Sequence, residues 1–125
     1  MKRSVFLVIA ALLALILGIN LSVRPVHMMF MFDVGLDPSG LFMARMLGAS
    51  MIALAITYFI ARSAPDSAAM SGILWGGLFQ NVFWALLAFR MMNRGWMDNL
   101  GWAIVIIHLL LALGFMAYVV KKKPA

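Results

Sequence analysis

The chain has 125 residues, of which 66% are hydrophobic, with a mean hydropathy of +1.04 and a net charge of +6. A soluble domain is nearer half apolar and could not hide this much greasy surface, whereas a bilayer supplies apolar surroundings for it. Cysteine is absent, which excludes disulfides, thiolate nucleophiles and cysteine metal sites. The basic residues collect at chain ends and helix ends, which is the pattern of anchors against anionic headgroups and not of a nucleic-acid face.

In chain order, the first apolar run is Ser4 to Ser22, preceded by Lys2 and Arg3. It is long enough to span, and no small-x-small cleavage site follows it, so it is expected to remain as an uncleaved helix. Pro25 stops it just after Arg24. Val26 to Asp33 is apolar but too short to span, and reads as a partly helical segment lying at the outer interface. Gly35, Asp37-Pro38 and Ser39-Gly40 form a turn-rich linker. A second span is expected from about Leu41 to Arg62. After the turn at Ser63 to Ser67, where Asp66 or Ser67 can cap, a third runs from about Ala68 to Phe89. The loop from Arg90 to Asn99 leads to a fourth span, about Leu100 to Val120, closed by Lys121, Lys122 and Lys123. Short loops make consecutive helices antiparallel neighbours. The expected fold is therefore all-α: a single transmembrane domain, residues 1–125, built as an antiparallel up-down four-helix bundle.

Orientation follows from the basic residues. One side holds Lys2, Arg3, Arg62 and Lys121 to Lys123, and the other Arg24, Arg45, Arg90 and Arg94. This bias puts both termini in the cytoplasm of an inner (plasma) membrane protein, and sets Trp84, Trp96 and Trp102 near the outer interface as an aromatic belt.

Polar residues inside lipid-spanning helices are the informative exceptions. Counted at about 1.5 Å per residue, Asn20, Arg45, Gln80, Asn81 and His108 all fall in the outer half of their helices. They are expected to form one polar layer that binds a ligand or glues the helices. Asp33 and Asp37 are the nearest acids and the ion-pair candidates for Arg45. The competing outcome is that Arg45 snorkels to the interface. Stripes rich in small residues repeat every four positions at Ala10, Ala14 and Gly18, at Arg45, Ala49, Ala53, Thr57 and Ala61, and at Gly72, Gly76, Gln80 and Trp84, so Arg45 and Gln80 lie on the stripes. These stripes, with Gly72 and Gly76 foremost, are expected to mark close helix packing.

No nucleophile–base pair, metal triad or phosphate loop is present, so no catalytic residue, cofactor or metal is assigned. The methionine-rich segments His27 to Met31 and Met91 to Met97 offer soft ligands of the type that suits Cu(I), but without metal-ligand spacing. The halves do not align as an inverted repeat, which weakens a transporter reading.

Ala44-Arg45-Met46-Leu47-Gly48 opening the second span, the Pro- and Phe-bearing segment before it, and Gly101-Trp102 with His108 in the fourth resemble the DoxX-like group of small bacterial four-helix membrane proteins. The resemblance implies a left-handed four-helix bundle. Some members of that group are linked to quinone or thiol redox chemistry. The thiol link transfers poorly to a chain without cysteine. Two function classes follow: a non-enzymatic accessory or scaffold subunit or binder of a small hydrophobic ligand, with lipid and other membrane proteins or copies of itself as partners; or a transporter or redox protein holding an anion or quinone headgroup at the Arg/His/Asn layer.

Overall fold

The computed structural model describes residues 1–120 and is all-helical, with no strand among the described residues. The elements are α1 (Arg3–Val23), α2 (Pro25–Phe30), α3 (Pro38–Ala61), α4 (Ala68–Asn93) and α5 (Gly101–Val120). Four of them, α1, α3, α4 and α5, are long and apolar enough to cross a membrane, the signature of a multi-pass membrane protein. The chain divides into two compact units, Met1–Ser63 and Ala64–Ala125.

The first unit is a helical hairpin of α1 and α3 with α2 between them. Its buried residues on α3 are Ala44, Gly48, Met51, Ala55, Tyr58 and Ala61, which alternate steps of four and three as far as Tyr58. That spacing is the period of a left-handed helix pair. The helices approach closely at Gly18 and Gly48. A Cβ on Gly48 would lie 2.6 Å from the Ser22 amide nitrogen and 2.7 Å from the Gly18 carbonyl oxygen, so only glycine fits there. The Ser22 hydroxyl is buried at this crossing with no hydrogen-bond partner among the described residues.

α3 begins one turn earlier than the span expected from Leu41. The Asp37 side chain accepts from the Gly40 backbone N–H at 2.6 Å, and Pro38 occupies the first helical position. An N-cap acid followed by a proline is a strong helix start, so the supposed linker residues Pro38 to Gly40 are the first turn. The short apolar segment is helical as expected, over Pro25–Phe30. It ends in a Schellman motif: the Val34 N–H bonds to Met29 O at 3.1 Å, the Asp33 N–H bonds to Phe30 O at 3.0 Å, and Asp33 takes φ 57.

The second unit is the antiparallel hairpin of α4 and α5. On α5 the buried residues Gly101, Val105, His108, Ala112 and Phe115 again alternate four and three. Ser67 is the cap of α4, accepting from the Met70 N–H at 3.1 Å. α4 runs one turn beyond Phe89 and ends in a second Schellman motif. Trp96 N–H bonds to Met91 O at 3.1 Å, Gly95 N–H bonds to Met92 O at 3.0 Å, and Gly95 has φ +66. Nothing between Phe89 and Gly95 breaks a helix, so the helix continues to the first residue able to turn left-handed. Phe115 is fully buried against Gly77, where an added Cβ would lie 2.5 Å from the ring.

Candidate functional site

Two polar sites emerge, one within each unit. In the second unit Asn81 and His108 are the buried polar residues, 5% and 7% exposed. Both sit on the packing face of their helix, so they meet in the hairpin seam. His108 Nδ1 lies 2.8 Å from Asn81 Oδ1. The Asn81 amide nitrogen donates to the Gly77 carbonyl at 2.8 Å, which fixes which end of the amide faces the ring. An amide oxygen only accepts, so the hydrogen-bond network assigns the proton to Nδ1. In the neutral ring Nε2 is then the acceptor, and among the described residues nothing donates to it. Trp84 packs edge-on against the imidazole, with ring centroids 5.0 Å apart and planes at 78°. Sequence spacing selected Asn81 and His108 by depth but did not single out Trp84 as their neighbour. Gln80 is half-buried, one position round the helix from Asn81.

In the first unit, Asn20 is half-buried and bonds back to its own helix, its amide donating to Ile16 O at 2.8 Å. Arg45 instead lines a cleft of about 530 Å³ where α1 turns into α2, together with Arg24 and His27. Val26, Phe30 and Leu41 form its apolar walls. This volume lies within the range of small-molecule pockets, roughly 300–1,000 Å³. Arg24 and His27 were not among the residues singled out by depth, since they lie outside the long spans. The signal for them is Pro25, which starts α2 and turns both side chains back toward the foot of α3.

Arg45 forms no ion pair with Asp33 or Asp37 among the described residues. Of the two acids, Asp37 is engaged elsewhere. Asp33 occupies the left-handed position after α2, and Asp37 caps α3. Among the described residues no hydrogen bond or ion pair reaches the side chains of Arg24, His27 or Arg45.

Gly72 and Gly76 lie on the exposed face of α4, where a Cβ on either would meet nothing within 4 Å. The close-packing glycine of that helix is Gly77, one position on. The stripe on α3 is displaced in the same way. Arg45, Ala49, Ala53 and Thr57 are exposed, and the packing track runs through Ala44, Gly48 and Ala55. No cluster of three or more His, Cys, Asp or Glu side chains suited to a metal ion occurs among the described residues.

No family model matches the chain, and no curated protein or solved structure matches it.

Proposed function

We propose that this chain is a non-enzymatic membrane protein that holds a small amphiphilic ligand in the cleft at the α1–α2 junction. On this reading it serves as an accessory or scaffold subunit of a membrane complex. Its setting is the inner membrane, with both termini cytoplasmic and the cleft opening on the opposite face. The observation that carries the proposal is the cleft itself: apolar walls from Val26, Phe30 and Leu41 beside three basic side chains that no described residue neutralises. A site with an apolar body and a few convergent polar groups suits a molecule of the same build. The likeness to the DoxX-like group belongs with this proposal.

Purification in a mild nonionic detergent tests it. The expected result is a lipid-like molecule, retained at about one per chain and lost when Leu41→Trp fills the cleft. Retention unaffected by Leu41→Trp overturns the ligand-binding reading. A protein that co-purifies in fixed ratio is expected of an accessory subunit.

A second reading, a transporter or redox protein that holds an anion or quinone headgroup, is favoured by the His108–Asn81 pair. The pair is buried within a membrane-length hairpin and leaves Nε2 without a described donor. Buried polar residues in such helices often mark substrate or proton paths. A ligand whose binding survives Leu41→Trp but fails in His108→Leu would select this reading.

A further inference from the structure

We infer that the cleft lined by Arg24, His27 and Arg45 recognises an anionic phosphate group, either the phosphodiester of an acidic phospholipid or free phosphate. The inference rests on the ligand-binding reading above and adds the chemical class of the ligand.

The reasoning begins with charge. Two guanidinium groups and an imidazole line one cleft, and no acid is among its lining residues. Of the acids closest in sequence, Asp37 is bonded to the Gly40 amide at 2.6 Å, and Asp33 lies outside the cleft lining without an ion pair to Arg45 among the described residues. The cleft therefore brings basic groups together with no acid among its described lining residues. Like charges repel, and an anion placed between the two exposed guanidinium groups would offset that repulsion.

Geometry adds to this. Arg45 lies seven residues beyond the start of α3 at Pro38, roughly 10 Å along the helix axis. Arg24 caps the opposite helix, at the junction of α1 and α2. The cleft thus takes one guanidinium from each of two chain segments, with His27 one turn along α2 from Arg24. Guanidinium forks bind phosphate oxygens through two parallel N–H donors, and a phosphate has enough oxygens to accept from both arginines at once. Val26, Phe30 and Leu41 continue the site as greasy wall, the surface that an acyl chain would cover. A zwitterionic headgroup would bring its own cation against three basic groups, so the cleft selects a headgroup with net negative charge.

The experiment uses the full chain in nonionic detergent, titrated separately with phosphatidylglycerol, with phosphatidylcholine carrying the same acyl chains, and with inorganic phosphate. Native mass spectrometry counts bound lipid, and the shift in Tm reports phosphate. Phosphatidylglycerol is expected to bind at least tenfold more tightly than phosphatidylcholine. That preference is expected to fall about tenfold in R24Q/R45Q and to persist in the control R90Q/R94Q. If inorganic phosphate alone raises Tm as far as phosphatidylglycerol does, and loses that effect in R24Q/R45Q, the phosphate class stands and the source is free anion. A phosphatidylglycerol preference equal in the wild type and R24Q/R45Q overturns the inference. Should R24Q/R45Q fail to fold, R24K/R45K keeps the charge but not the fork. Its expected preference lies between wild type and none, and a wild-type preference in it together with His27→Ala overturns recognition by these side chains. Leu41→Trp separates the two levels. If it abolishes binding of every lipid while R24Q/R45Q changes nothing, the cleft binds a ligand and only the anionic class fails. If Leu41→Trp has no effect on any lipid, the ligand-binding reading itself fails.

Discussion

Asn81 holds the His108 ring by a 2.8 Å contact between its Oδ1 and the ring's Nδ1, inside the seam of the α4–α5 hairpin. Hydrogen bonds between membrane helices average about 0.6 kcal/mol, with a maximum near 1.7. A double-mutant cycle of Asn81→Leu and His108→Leu, followed by unfolding in detergent, is therefore expected to show a coupling of about 0.6–1.7 kcal/mol. Additive effects would mean that the two side chains merely lie side by side.

Gly48 and Gly72 are expected to respond in opposite ways to the same substitution. Gly48→Ala drives a methyl group into the backbone of α1 near Gly18 and Ser22, and backbone cannot step aside as a side chain can. The loss is expected to be about 1–3 kcal/mol, the usual cost of overpacking. Gly72→Ala meets open space and is expected to be neutral, or stabilising by up to about 1 kcal/mol through helix propensity. Comparable losses at both positions would argue that the exposed face of α4 is covered by another helix.

The two Schellman motifs make a matched pair of tests. Gly95→Ala puts a side chain on a left-handed residue and is expected to destabilise by about 1 kcal/mol. Asp33→Gly relieves the same kind of position and is expected to be neutral or stabilising by a similar amount. If Asp33→Gly instead costs stability, and that cost vanishes in an Arg45→Leu background, the carboxylate is doing ionic work with Arg45.

Topology is tested without reference to any contact. A reporter active only in the periplasm, fused after Ala125, is expected to give no signal, whereas the same reporter inserted at Asn99 is expected to give a strong one. A strong signal from the Ala125 fusion would reverse the orientation and move the cleft to the cytoplasmic face.

The number of membrane-length helices was legible because long apolar runs separated by turn residues admit few other readings. The heptad-like packing faces were less so. α3 and α4 each carry two adjacent tracks of small residues, and side-chain size alone does not say which faces the partner. Ala49 and Ala53 look as fit for the seam as Gly48, and Gly76 as fit as Gly77. The choice is made by the opposite helix: Gly18 requires a glycine across from it, and the Phe115 ring requires one at Gly77. Depth counting found Asn81 and His108 because both are polar and buried in long helices. It did not find the surroundings of Arg45, because these depend on how a helix of six residues, Pro25–Phe30, folds back on its neighbours. The pairing of Arg45 with a nearby acid was a reasonable expectation from proximity in sequence. Helix capping took Asp37, since a backbone amide three residues away is a nearer partner than a guanidinium one turn further on.

Gly77 serves two neighbours at once. Its missing side chain makes room for the Phe115 ring, and its carbonyl receives the amide that orients Asn81 toward His108. Steric fit and proton placement are thereby geared to a single backbone position. The bond from Asn81 to Gly77 lies within α4, so the amide stays oriented by its own helix, and parting α4 from α5 would break only the contact with His108. The acceptor for the imidazole is therefore set by α4 before α5 docks, and the seam receives the ring in one orientation.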